Sequence, residues 1–286
     1  MACLKSRFAY LNAAPFLAFA HRGGASQWPE NSMPAFQGAV DLGYRYIETD
    51  VHATRDGVLL AFHDEHLDRV TDRNGLIAEL DYAEVAKARI DGLEPIPRFE
   101  ELLATWPDIH FNVDPKSDGA VDPLIGAVRD MNAIDRVCIT SFSSRRTAAA
   151  RAALGPDLCT GLGPTGTFRL RLSSLSGPAR SLWGGFVEGC AQLPTHQWGI
   201  RLIDRALIDR AHEMGLQVHV WTIDDRAEME RLIDLGVDGL MTDEPALLRT
   251  ILESQGALAL TARHGGANWF PATIRGRMSP PSRILC

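Results

Sequence analysis

Cysteine is scarce and poorly spaced for the roles it usually plays: Cys3, Cys138, Cys159, Cys190 and Cys286 are five residues with no CxxC or CxxxC pair among them. An odd count without such spacing speaks against a disulfide framework or a zinc knuckle and fits a reducing compartment. Long apolar runs are missing too. None approaches the roughly 20 residues of a membrane helix, so stable membrane insertion is not expected. The N-terminal stretch carries Lys5 and Arg7 and has no unbroken apolar segment before Asn12, unlike a secretory signal. These absences together predict a cytoplasmic protein. A basic excess is also lacking: the formal net charge is −7, whereas a nucleic-acid partner would call for a basic patch. A small anionic ligand remains compatible, because a few local cations suffice to hold one phosphate.

What is present is apolar material, 45% of 286 residues, enough to bury one large core. It comes as short apolar runs at 16–20, 46–51, 58–62, 110–114, 137–141, 158–162, 185–193, 217–222 and 239–242. Helix-length segments such as 32–42, 145–154, 204–214 and 226–235 separate most of them. Strands alternating with helices imply parallel βα units with the helices outside. Nine runs are one too many for an eightfold barrel, and one connection resolves the count. Residues 52–57 are too short for a parallel crossover, and Asp56-Gly57 is a hairpin turn signal. The run at 58–62 therefore folds back antiparallel, leaving eight parallel strands. The expected fold is a TIM (β/α)8 barrel over residues 16–253, preceded by an N-terminal arm (1–15), with a doubly wound open sheet as the alternative. Residues 65–97 break the repeat as an insertion after the hairpin, with a helical piece near 82–88. Residues 254–286 lack periodicity and read as a poorly ordered tail, not a second domain.

In such a barrel the site lies at the C-terminal strand ends. Those ends carry His21 and Arg22, then Glu48 and Asp50, then Asp114 and Lys116, and finally Trp221. Glu48 and Asp50 are two apart on one strand and so share a face. If that face is the interior, the pair needs a cation or a shared proton. With Asp114 the set offers three oxygen ligands, which suits one hard divalent cation, Ca²⁺ or Mg²⁺. A hairpin turning near Asp56 sets residues summing to about 112 or 113 opposite each other, which brings His63 back beside Thr49 or Asp50. Two histidines near anionic groups can divide the labour, one protonated and one a base. Three carboxylates, a divalent ion, Arg22 and Lys116 lack one anion for neutrality, and a phosphodiester supplies it.

Several other residues have a simpler reading. Asn31 or Ser32 is expected to cap the next helix, and Asp243 likewise to act as a cap. His52 is expected above the rim. Trp221 suits either the barrel core or a wall against the substrate. Trp28, Phe142 and Phe186 are expected in the core, although an apolar mouth would also use them. Glu188 could add a polar wall.

The motifs His21-Arg22-Gly23, Pro29-Glu30-Asn31-Ser32, Glu48-Thr49-Asp50-Val51, Asp56-Gly57 and Phe62-His63-Asp64 resemble the glycerophosphodiester phosphodiesterase family in order and spacing. The likeness continues through Val220-Trp221-Thr222 and Gly236-Val237-Asp238-Gly239 to Thr242-Asp243, spanning about residues 16–250. It implies a TIM barrel with a small insertion after the second histidine, His21 and His63 as the acid/base pair, and Arg22 and Lys116 on phosphate. It further implies metal binding by Glu48, Asp50 and residue 114, and hydrolysis of glycerophosphodiesters to sn-glycerol 3-phosphate and an alcohol. Asn112-Val113-Asp114-Pro115-Lys116 departs from the family's usual Glu-Ile-Lys-like run, so the metal affinity of position 114 is open. A lysophospholipase D would use the same core with an apolar trough at the mouth. A non-catalytic phosphate-binding barrel would keep the cations but need no paired histidines. The sequence assigns no oligomeric state.

Overall fold

The computed structural model describes residues 6–175, 184–197 and 199–255. Eight parallel strands form the barrel: β1 (Leu17–His21), β2 (Tyr46–Ala53), β3 (His110–Pro115), β4 (Val137–Ile139), β5 (Cys159–Thr160), β6 (Cys190–Pro194), β7 (Gln217–Trp221) and β8 (Gly239–Thr242). Each is followed by a helix: α1 (Met33–Asp41), α2 (Phe99–Thr105), α3 (Val121–Asp130), α4 (Ser144–Leu154), α5 (Pro164–Ser174), α6 (Arg205–Glu213), α7 (Arg226–Leu235) and α8 (Pro245–Ser254). The ladder runs β5-β4-β3-β2-β1-β8-β7-β6. Its two ends meet through one parallel bridge, Gly161 to Cys190, beside the hydrogen bonds Leu162 N to Cys190 O and Gly189 N to Thr160 O, both 2.9 Å. That seam closes the barrel.

Local chemistry sets the helix starts. Ser32, Asp204 and Asp225 each accept a backbone N–H from three residues on, capping α1, α6 and α7. Gly236, at φ 94°, ends α7 in the left-handed conformation. On β2 the parity divides the strand: Ile47 and Val51 pack outward with Phe36, Phe99 and Phe111 in the barrel–helix core, while Tyr46 joins the interior cluster.

The run at 58–62 does fold back. Its ordered strand, Leu59–Ala61, pairs antiparallel with β2 as Val51 to Ala61, His52 to Leu60 and Ala53 to Leu59. Phe62 N continues the register onto Asp50 O at 2.9 Å. Leu60 and Phe62 then belong to a separate small core with Leu67, Ile77, Val85, Ala88, Ile90 and Ile96, all from the segment after the hairpin.

Other strands are shorter than the apolar runs suggest. The run at 185–193 becomes a strand only at Cys190, because Gly184 and Gly185 find no ladder partner. The run at 158–162 yields only Cys159–Thr160. At the other end of the chain, Ser254 closes α8 instead of opening the tail, and residues 256–286 lie outside the described residues. Ahead of the barrel, a 3-10 turn at Ala9–Asn12 stops its N-terminal end. Phe8, Tyr10 and Leu11 are buried there against Leu17, Phe19, Tyr46 and Met241.

Candidate active site

Above that apolar floor lies a polar layer. Asn112 and Gln192 exchange two amide hydrogen bonds, 3.1 and 2.8 Å, and Gln192 also touches His219. Buried amides of this kind are stable only when paired. The next layer up is charged.

β1 ends at His21, and the chain then turns sharply. Arg22 (φ 49°) and Asn31 (φ 54°) both adopt left-handed backbone, a cost of about 1–3 kcal/mol each that tends to collect at functional sites. Gly23 (φ 86°) lies so close to α1 that a Cβ would meet the Ala35 Cβ at 2.7 Å. The turn therefore seats the Arg22 guanidinium over β2. Its backbone N donates to Glu48 Oε2 at 3.2 Å, Nη1 donates to Glu30 Oε1 at 3.1 Å, and Nε lies 3.2 Å from Asp50 Oδ2. That Nε is buried without an aligned hydrogen bond, beside the Asp50 carboxylate.

Glu48, Asp50 and Asp114 share the interior side of β2 and β3, with Asp50 directly opposite Asp114 in the register. Lys116, just past β3, places Nζ 2.7 Å from Asp50 Oδ1 and 2.9 Å from Asp114 Oδ2. Burial, and then the neighbouring Asp50, push the Glu48 carboxyl up to about 7. Burial would raise Asp50 as well, but Lys116 and Arg22 outweigh it and hold Asp50 below its ordinary range. Asp114 is raised by burial despite its contact with Lys116. At Glu48, the charges of His21, Lys116 and Arg22 offset the rise only in part, and an all-oxygen set of three carboxylates suits a hard divalent ion. The set is not drawn together into a finished cage. Among the described residues only three cysteines, Cys138, Cys159 and Cys190, bring their ligand atoms within 4.8 Å of one another.

Both histidines are held by a carboxylate on Nδ1. His21 Nδ1 lies 2.8 Å from Asp243 Oδ1, and its Nε2 lies 3.7 Å from Glu48 Oε2. Burial alone would depress this imidazole, but Glu48 and Asp243 raise it above its ordinary value. His63 Nδ1 lies 2.6 Å from Asp64 Oδ1. The hydrogen bonds from Arg69 hold Asp64 down at about 2. Arg69 also grips Glu30, at 2.6 and 2.9 Å, so a continuous chain of charge runs from His63 to Arg22.

Several expectations need correcting. Asp243 is not a cap: Glu244 occupies the cap position of α8, and Asp243 spans the chain to orient His21. Ser32 is the cap of α1, while Asn31 binds Thr49 Oγ1 at 2.7 Å and reaches Asp50 at 3.5 Å. His52 is buried, 4% exposed, with Nε2 3.1 Å from the His63 carbonyl rather than above the rim. Phe142 is 69% exposed and stands edge-on to Trp221 at 6.0 Å, so the pair forms an apolar ledge. Trp28 packs over Gly38 of α1. Phe186 is half-buried against the barrel–helix core. Glu188 pairs with Arg151 at 3.4 Å. The three-cysteine group was invisible to a spacing rule, because its members come from three separate strands.

A profile of the glycerophosphoryl diester phosphodiesterase family matches residues 21–247, most of the barrel. The chain belongs to this family. The "Probable glycerophosphodiester phosphodiesterase 2" of Mycobacterium tuberculosis is 38% identical over 242 residues, covering 84% of this chain and 92% of that protein. Among solved structures, a Silicibacter pomeroyi protein whose name places it among glycerophosphoryl diester phosphodiesterases superposes with a TM-score of 0.72 at 23% identity, covering 87% of this chain and 98% of the other. An Oleispira antarctica phosphodiesterase, solved in complex with the product sn-glycerol-3-phosphate, gives 0.67 at 22% identity, covering 82% and 96%. These two structures share the barrel with this family member. Among the described residues no helix is long and apolar enough to cross a membrane.

Proposed function

We propose that this chain hydrolyses glycerophosphodiesters to sn-glycerol 3-phosphate and an alcohol, with His21 and His63 as the acid/base pair. The observation that carries the reading is the matched pair of carboxylate-held imidazoles, His21 on Asp243 and His63 on Asp64, at one mouth with Arg22 and Lys116. A carboxylate on Nδ1 fixes the tautomer and presents Nε2 to the substrate. One imidazole then takes the proton of the attacking hydroxyl while the other delivers a proton to the departing alkoxide. Either water or the substrate's own glycerol hydroxyl can serve as nucleophile. Arg22 and Lys116 bind the non-bridging phosphate oxygens, the first through a planar fork and the second as a point charge.

Glu48, Asp50 and Asp114 are the residues that would hold a divalent cation, Ca²⁺ or Mg²⁺, which would supply charge neutralisation at the phosphoryl group. Trp221 and Phe142 form a wall for the glycerol or the leaving group. The same ledge favours a second reading, lysophospholipase D activity, in which it would meet an acyl chain. Free thiols at Cys138, Cys159 and Cys190 support a cytoplasmic location.

Release of glycerol 3-phosphate from glycerophosphocholine, against choline release from lysophosphatidylcholine, tests both readings with and without chelator. Turnover of glycerophosphocholine that chelator abolishes supports the first reading. Turnover of the lysolipid alone transfers the chain to the second, and no turnover of either sinks the proposal.

A further inference from the structure

Beyond the catalytic mouth, the closing seam of the barrel carries a second cluster of chemically active groups. Cys138 on β4 and Cys159 on β5 are register partners. Cys190 opens β6 on the other side of the seam, at the bridge to Gly161. All three thiols are fully buried and unoxidised, and their sulfurs lie within 4.8 Å of one another. Small buried cysteines often pack simply as hydrophobes, so the surroundings decide the matter.

Two neighbours are out of place in a plain apolar core. The Tyr10 hydroxyl, on a residue 1% exposed, has no hydrogen-bond partner and faces the electrostatic influence of Cys138, Tyr46, Cys159 and Cys190. An unpaired buried donor costs about 1–3 kcal/mol, and a neutral thiol is a weak acceptor for it. A thiolate is a strong one. His219, 0% exposed, is the second: its Nε2 lies 3.1 Å from Gln217 Oε1 and its Nδ1 3.3 Å from Gln192 Nε2, so a polar imidazole sits inside the barrel on β7.

We propose that Cys138, Cys159 and Cys190 form a buried site for a thiophilic d¹⁰ cation, copper(I) or zinc, which clamps the barrel across its seam. Sulfur ligands select these ions over the hard cations suited to the carboxylate mouth. Binding is charge-balanced: the three thiols release three protons and the sulfurs donate their electron pairs to the metal, with no change of oxidation state. Three sulfurs complete a trigonal copper(I) site; tetrahedral zinc requires a fourth donor, and His219 would supply it only by giving up its contact with Gln192 or Gln217. Tyr10 then donates its hydroxyl to a thiolate. Since the plug formed by Phe8, Tyr10 and Leu11 covers the floor, loading accompanies folding, and the clamp joins strands that otherwise share one bridge.

The full chain is expressed in medium supplemented with zinc or with copper, purified under reducing conditions, desalted and analysed for metal. We expect about one equivalent of zinc or copper per chain. X-ray absorption should then show sulfur neighbours at about 2.3 Å for zinc, with the two supplements separating an S₃N from an S₃ shell. Cys159→Ala should reduce retention at least tenfold, and Tyr10→Phe, which preserves the ring, should weaken it severalfold. Loss of both metals on desalting, a shell of oxygen and nitrogen alone, or a thiol titration revealing a disulfide would each overturn the site. The spectroscopic arm uses the unmutated chain, so it decides the question even if Cys159→Ala fails to fold.

Discussion

Asp243 Oδ1 lies 2.8 Å from His21 Nδ1, on the far side of the ring from Glu48. Asp243 is itself anchored, because its backbone N donates to Asp224 Oδ1 at 2.8 Å. Asp243→Asn keeps the shape and removes the charge. Turnover of glycerophosphocholine should fall on the order of 10²-fold, with KM nearly unchanged, since the change acts on a proton carrier. Glu48 and Asp243 both raise His21, so losing one lowers its pKa. Whichever limb of the pH–rate profile His21 governs should move to lower pH. An unmoved profile would leave Asp243 a purely structural part.

His21→Ala and His63→Ala should each lower kcat on the order of 10²–10⁴-fold in folded protein. The double variant should be little worse than the poorer single one, because the two serve one proton-transfer cycle. Multiplying losses would instead assign the histidines to independent steps.

Asp114 offers the metal test. Chelation should abolish turnover, and Ca²⁺ or Mg²⁺ rather than zinc should restore it. Asp114→Asn removes a negative charge and should weaken metal binding strongly, as read by titration calorimetry. Asp114→Glu should stay active with an altered Ca²⁺-to-Mg²⁺ preference, since Mg²⁺ tolerates displaced ligands less well. Equal affinity in wild type and Asp114→Asn would rule out direct ligation.

Away from the mouth, His212 Nε2 lies 2.8 Å from Asp238 Oδ2, which also accepts the Val218 N–H at 2.7 Å. That hydrogen bond raises His212 above its ordinary 6.5. A raised folded pKa means extra stability that is complete below about 6.5 and fades as pH climbs through the raised value. The melting temperature should thus drop as pH climbs above about 6.5 more steeply for wild type than for His212→Gln. Parallel curves would show that the pair contributes nothing to folding.

Parity and turn chemistry made much of this molecule readable. The two-residue spacing of Glu48 and Asp50 fixed their shared face, and Asp56-Gly57 fixed a hairpin whose pairs sum to 112, as Val51 with Ala61 does. These are local rules. Asp243 was misjudged because its partner is 222 positions away, and before helix α8 an Asp looks like any cap. Glu30 and Asn31 act through side chains reaching β2 and Arg69, a geometry set by the left-handed turn at Arg22. Hydrophobicity alone places Phe142 in the core, because it cannot distinguish a buried ring from an exposed one standing edge-on to Trp221. The cysteine group needed the closed barrel, since adjacency around a cylinder has no counterpart in linear spacing.

The hairpin on β2 gives the molecule a division of labour. One strand bears Glu48 and Asp50, and its antiparallel companion delivers His63, so their separation is ruled by a ladder rather than by a loop. A one-residue slip would turn His63 to the opposite face, which makes the turn at Asp56 intolerant of single insertions. The segment after His63 has no such obligation: Leu67, Ile77, Val85 and Ile90 are gathered in a core of their own, fastened to the barrel by Leu60 and Phe62. Lengthening or reshaping that segment would redraw one lip of the mouth while the reacting groups kept their spacing. The ladder and the lip are thus separable parts of one mouth.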